Sequence, residues 1–165
     1  MEKQTTTLSE LTLVGLTART NNKNEMNPEK SKIANLVGYY WGNQIGNKIQ
    51  NRIQPGITYS VYTNFESDEN GDYTYFIGEA VKSIEGQDFD TFETLVIPES
   101  NYTQFTTQSG KMPDIIISAW QEIWSMGKSD FNGERSYIAD FEVYDEKASD
   151  PNNAVVDIFI GIKDL

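Results

Sequence analysis

Asp140-Phe141-Glu142-Val143-Tyr144 sets two carboxylates and a phenol at alternate positions. In a β-strand successive side chains leave opposite faces. Phe141 and Val143 therefore share an apolar face, and Asp140, Glu142 and Tyr144 share the other. The chain has no His and no Cys, which removes Ser-His-Asp and Cys-His chemistry, thiolate metal sites and disulfides. A carboxylate beside a ring in such a chain suits the binding of an organic cation better than turnover. One ion pair at about 4 Å and an effective dielectric near 20 contributes on the order of 4 kcal/mol before desolvation. Micromolar binding needs about 8 kcal/mol. Rings must supply the rest, through buried area and cation–π contact.

Rings are available. Trp120 and Trp124 are four apart, on one side of an expected helix. Tyr40 and Trp41 are adjacent in another, Tyr62 and Tyr75 lie on an expected hairpin, and Tyr144 shares its strand face with Glu142. Core packing accounts for any single one of these rings, but the set exceeds what two narrow helix faces use. The candidate ligand-binding residues are thus Glu142, Tyr144, Trp120, Trp124, Tyr40, Trp41, Tyr62 and Tyr75. Asp140 shares the face of Glu142, and like-charge repulsion raises one of the two pKa values if both are buried. Asp145 and Glu146 fall in an expected loop. The strand pattern alone favours a solvent-facing Glu142, since Glu is seldom fully buried unless paired.

Composition narrows the classes further. The 165 residues suffice for one domain, expected to span 1–165. Aromatic residues make up 12% of the chain, too much ring surface for a disordered acidic segment. Against 25 acidic residues stand 13 basic ones, a net charge of −12. That disfavours direct nucleic-acid binding and favours cationic ligands or a basic protein partner. No apolar run approaches the roughly 20 residues of a membrane span, and the polar start lacks a signal-peptide core. A cytoplasmic protein without membrane contact is expected, with no cofactor.

The elements that must hold these residues follow from pattern. Leu11 to Thr20 reads as a first strand. Asn27-Pro28-Glu29 reads as a helix start, with apolar residues at helical spacing through about Ile49. Gly38, Gly42 and Gly46 give this helix a smooth flank for close packing. Ile57–Glu66 and Tyr73–Lys82 form a hairpin with Asn70-Gly71 in its turn. The loop resembles a calcium loop, but Ile77 stands where the bidentate Glu belongs, so no metal is expected. Phe92 to Pro98 is a strand, and Tyr102 to Thr107 extends or follows it. Met112-Pro113-Asp114 starts a second helix, with Gly127 as its C-terminal cap. Tyr137–Tyr144 and Val155–Lys163 form a second hairpin.

Tyr75-Phe76-Ile77-Gly78 matches Ile158-Phe159-Ile160-Gly161, and both halves read strand, helix, strand, strand. This is a twofold repeat over about 8–85 and 90–165. Helices on one face of an antiparallel sheet give an α+β class.

The chain resembles the GyrI-like small-molecule-binding domain family, in particular its stand-alone integron-associated effector-binding proteins. The likeness rests on Val14-Gly15-Leu16, Trp41, Tyr59-Ser60-Val61-Tyr62, Asp72-Tyr73-Thr74-Tyr75 and Ile97-Pro98. It continues through Trp120-Gln121-Glu122-Ile123-Trp124, Asp140 to Tyr144, and Asp157 to Lys163. It implies duplicated βαββ units, a pseudo-twofold cleft between the halves, and a cleft acid at Glu142, which places that carboxylate in a buried or half-buried position. It further implies a binder of amphipathic organic cations, linked to transcriptional regulation or drug sensing, with no catalytic residue. The length leaves no room for the DNA-binding domain of fused AraC- or MerR-type members. Two alternatives stand beside this reading. One is an inhibitor or partner of a DNA enzyme, as in gyrase-inhibiting relatives. The other is a small-molecule hydrolase in which Glu142 activates water and Tyr144 donates a proton.

Overall fold

The fold is taken from a computed structural model, which describes residues 1–163. Eight strands form one antiparallel sheet: β1 (Glu2–Leu8), β2 (Leu11–Thr20), β3 (Thr58–Thr63), β4 (Tyr73–Ala80), β5 (Glu93–Ile97), β6 (Ser100–Thr106), β7 (Arg135–Tyr144) and β8 (Asp157–Ile162). Their order across the sheet is β1-β6-β8-β7-β3-β4-β2-β5. The helices are a single turn α1 (Asn22–Glu25), α2 (Ile33–Gly42) and α3 (Asp114–Trp124). The class is α+β, as the sequence pattern suggests.

The strand order reads as a palindrome. β2-β4-β3 of the first half faces β7-β8-β6 of the second across the β3–β7 pair. That central pair runs antiparallel, with Ser60 opposite Glu142, Val61 opposite Phe141 and Tyr62 opposite Asp140. Val61 and Tyr62 also face Phe76 and Tyr75, while Phe141 and Glu142 face Phe159 and Ile158. The repeat that equates Phe76 with Phe159 therefore equates Tyr62 with Glu142. The acid has no acidic twin, and a phenol occupies its symmetry-related position.

Each half lends a strand to the other. β1 pairs with β6 of the second half, and β5 pairs with β2 of the first. Ser9 and Glu10 alone separate β1 from β2, a reach of about 11 Å at ~3.6 Å per residue. In a flat sheet these strands would stand roughly 29 Å apart at ~4.8 Å per strand. The sheet therefore curls until its edges approach. The enclosed face holds one core, with Leu13, Val61, Phe76, Tyr102, Phe141 and Phe159 among its members. The outer face carries both helices, each over a core of its own: Tyr40, Ile45, Tyr75 and Ile77 under α2, and Ala119, Ile123, Ile158 and Ile160 under α3.

Several sequence expectations shift. β1 has no signal in the sequence pattern: its Thr-rich stretch carries no apolar alternation and owes its conformation to β6. The Asn27 turn does not open a helix: its side chain accepts from Glu29 N at 3.0 Å, and α2 begins at Ile33. Its cap comes from outside. The Glu25 carboxylate accepts from Lys32 N and Ile33 N, both at 3.0 Å, satisfying amides that a helix start leaves free. α2 ends at Gly42 rather than near Ile49, because Gln44 turns left-handed at φ 50° before a 3₁₀ turn over Ile45–Lys48. Gly38 and Gly42 pack against nothing among the described residues, since a Cβ at either would find open space. Gly127 is not a cap; α3 closes at Ser125.

Candidate functional site

Between α2 and α3, on the outer face of β3, β4 and β7, lies a cavity of about 700 Å³. This is the size range of drug-sized ligand sites. Its floor is built by alternation: Tyr73, Tyr75 and Ile77 from β4, Ser60 and Tyr62 from β3, and Asp140, Glu142 and Tyr144 from β7. Its walls come from helical spacing, with Ile33, Val37 and Trp41 on α2 and Ile116, Trp120 and Trp124 on α3.

Glu142 is 3% exposed, contrary to the solvent-facing position that its strand pattern favours. Three ring donors hold it. Trp120 Nε1 donates to Oε2 at 2.7 Å, Tyr62 OH donates to the same oxygen at 3.2 Å, and Tyr144 OH donates to Oε1. No basic side chain pairs with it among the described residues. Burial pushes its pKa above the ordinary carboxylate range, and the three hydrogen bonds partly draw it back. Burial likewise raises the phenols of Tyr62 and Tyr144 well above their usual value, with the Glu142 charge adding to the effect. Both stay protonated at neutral pH and serve as donors. Tyr75, buried beneath them, shares a hydrogen bond with Ser60 Oγ.

The rings form a continuous lining. Tyr62 meets Trp120 edge-on at 5.3 Å and Tyr75 at 5.4 Å, and Trp120 leans on Trp124 at 6.4 Å. Trp41 and Trp124 face the opening from opposite helices, 52% and 57% exposed.

The structure gathers seven of the eight sequence candidates around the cavity: Glu142, Tyr144, Trp120, Trp124, Trp41, Tyr62 and Tyr75. Tyr40 is the exception. It is 1% exposed and packs under α2 against the sheet. Adjacent helical residues point about 100° apart, so Trp41 and Tyr40 do not share the cleft. Asp140 lines the cavity but belongs to a different network. It is 1% exposed, pairs with Arg135 Nη2 at 2.6 Å and accepts from Gly161 N at 2.9 Å. Its pKa is raised by burial, against the pull of Arg135, rather than by repulsion from Glu142. Asp145 lies past the end of β7, where its side chain accepts from Lys147 N at 2.9 Å.

Sequence reasoning missed Phe65, Tyr73, Glu69 and Arg135 on the cavity wall. Tyr73 was within reach, being two residues from Tyr75 and so on the same face. Glu69 and Arg135 sit in a loop and beside a β-bulge, where no periodicity points.

A family model described as integron-associated effector binding protein matches residues 5–162. YobU of Bacillus subtilis (strain 168), whose name carries a provisional assignment as a transcriptional regulator, is 30% identical over 154 residues. That alignment covers 90% of each chain. An integron cassette protein from the mobile metagenome of Vibrio cholerae shares the fold at a TM-score of 0.77 and 25% identity, over 98% of this chain and 95% of that one. A protein solved with tetraphenylphosphonium bound superimposes at a TM-score of 0.75 over 99% of this chain and 94% of its own. At 20% identity that likeness is one of fold.

Proposed function

Because the chain belongs to the integron-associated effector binding protein family, we propose that it binds amphipathic organic cations in the cleft between its halves. The reading extends to a non-enzymatic sensor in the cytoplasm that passes ligand occupancy to a transcriptional partner. The observation that carries it is Glu142: a carboxylate buried on the cavity floor, held by three ring donors and matched by no basic side chain among the described residues.

A buried charge without a counter-ion is costly unless something completes it. An organic cation does so with little loss of its own, since its charge is diffuse and weakly hydrated. The receptor is also preorganised. Trp120, Tyr62 and Tyr144 fix the carboxylate before the ligand arrives, so little ordering is left to bear on binding. The apolar arms of the ligand cover Ile33, Val37, Ile116 and Trp124, at about 25 cal/mol per Å². Such contacts discriminate weakly between shapes, which suits a sensor of many related cations. The solved relative with tetraphenylphosphonium and the provisional regulator name of the Bacillus relative support the two parts of the proposal.

The test is a titration followed by tryptophan fluorescence, which Trp120, Trp124 and Trp41 report from the cavity itself. Tetraphenylphosphonium is compared with the neutral triphenylphosphine oxide. Saturable quenching by the cation at micromolar concentration, with the neutral compound at least tenfold weaker, is expected. Equal binding of both would make the site an apolar pocket with no charge selectivity.

A further inference from the structure

The cavity carries more negative charge than one cation neutralises. Among the described residues, four carboxylates line it, Glu25, Glu69, Asp140 and Glu142, against one basic side chain, Arg135. Two of the four are already committed. Asp140 is paired with Arg135 at 2.6 Å. Glu25 accepts from Lys32 N, Ile33 N and the Thr20 hydroxyl, and so completes the start of α2. Glu142 and Glu69 remain, each without a basic side-chain partner among the described residues.

Both accept from tyrosine hydroxyls, Glu142 fully buried and Glu69 partly exposed. Glu142 is gripped by the hydroxyls of Tyr62 and Tyr144. Glu69, from the loop between β3 and β4, accepts from the Tyr137 hydroxyl, and its own carbonyl is held by Asn22 Nδ2 at 2.9 Å. A file of rings joins them. Tyr62 meets Tyr73 at 5.7 Å, Tyr73 meets Phe65 at 5.8 Å, and Phe65 meets Tyr137 at 5.7 Å. Carboxylate and ring at each end, with aromatic surface between, match a molecule with a positive centre at each end and an apolar or aromatic linker. The Arg135 guanidinium lies over the outer Tyr137 ring at 4.5 Å, but its ion pair is with Asp140 and not with Glu69.

We infer that the cavity is a receptor for organic dications, with one positive centre at Glu142 and the other at Glu69. The inference rests on the reading of Glu142 as a cation receptor and adds a second subsite to it. The test uses calorimetric titration with bis-trimethylammonium alkanes of graded length, each compared with a mono-trimethylammonium alkane of equal carbon count. Affinity should peak at one linker length, with the bis-cation ahead of its mono counterpart. Glu69→Gln keeps an acceptor for Tyr137 while removing the charge. It should weaken the best bis-cation roughly tenfold, the scale of a partly exposed ion pair plus one cation–π contact, and the mono-cation by less than about threefold, the scale of a charge felt only at a distance. Thermal melting of the variant checks that the loop stays folded. No advantage of bis- over mono-cations at any length would overturn the dication site, as would an equal loss of both in Glu69→Gln. Unchanged mono-cation binding in Glu142→Gln would instead sink the reading beneath it.

Discussion

Replacing Glu142 by Gln removes one charge and almost no volume, so its effect isolates the electrostatic share of binding. A cation centred about 4 Å from the carboxylate at an effective dielectric near 20 gains roughly 4 kcal/mol. The cavity opens to water between Trp41 and Trp124, both about half exposed, and water at the mouth screens part of that. A loss of about 2–3 kcal/mol is left, which is a Kd weaker by roughly thirty- to 150-fold. The amide oxygen still accepts from Trp120 Nε1, and the amide nitrogen meets a phenol oxygen able to accept in turn. The site therefore keeps its shape. Stability without ligand should move the other way, because the wild type buries a carboxylate with no basic side-chain partner among the described residues, and the variant does not. Calorimetric titration with tetraphenylphosphonium, alongside a thermal melt without ligand, reads both effects. An affinity within threefold of wild type would refute the argument that this carboxylate is the receptor.

The same group sets a pH dependence. Burial raises the folded-state pKa of Glu142 above its unfolded value, so between the two the native state holds a proton that the unfolded state has released. The stabilising effect of that proton is lost as pH rises through the folded value. Affinity for a cation with no titratable group should rise over this window, with a proton released on binding; heats that do not vary between buffers of different ionisation enthalpy would contradict this. Tyr40 lies outside the cavity, so Tyr40→Phe should leave cation affinity within twofold of wild type. Trp41→Ala should weaken it about three- to fivefold, the scale of one exposed cation–π contact, and the reverse ranking in a fluorescence titration would show that α2 presents the other ring. Gly15 and Gly78 face each other in the β2–β4 ladder, and a Cβ on Gly78 would overlap the Val14 carbonyl oxygen. Gly78→Ala should cost about 3 kcal/mol or more in a urea melt. Gly42→Ala, with open space around it, should add roughly 0.5 kcal/mol.

Much of this architecture is legible in the residues, because strand alternation is local. Phe141 and Val143 against Glu142 and Tyr144 separate the enclosed core from the cavity floor without reference to any other strand. Trp120 and Trp124 name their helix face in the same way. Other features depend on contacts far away in sequence. β1 is a Thr-rich segment that becomes a strand because β6, nearly a hundred residues later, offers it a free edge. The start of α2 is set by Glu25, seven and eight residues upstream of the amides it caps, and no local capping rule looks that far. Periodicity gives Tyr40 and Trp41 different directions but does not say which one faces the cleft. The burial of Glu142 lies outside pattern altogether. An alternating strand reads the same whether its polar face meets water or two helices, and only the helix pair standing over β3 and β7 decides.

The most direct test of the central claim is a crystal structure of the protein with tetraphenylarsonium, whose arsenic marks the cation centre by anomalous scattering. A single arsenic peak is predicted between α2 and α3, beside the Glu142 carboxylate and within about 6 Å of the Tyr62 and Trp120 rings. An occupied peak anywhere else on the molecule, with the cavity left empty, would contradict the account.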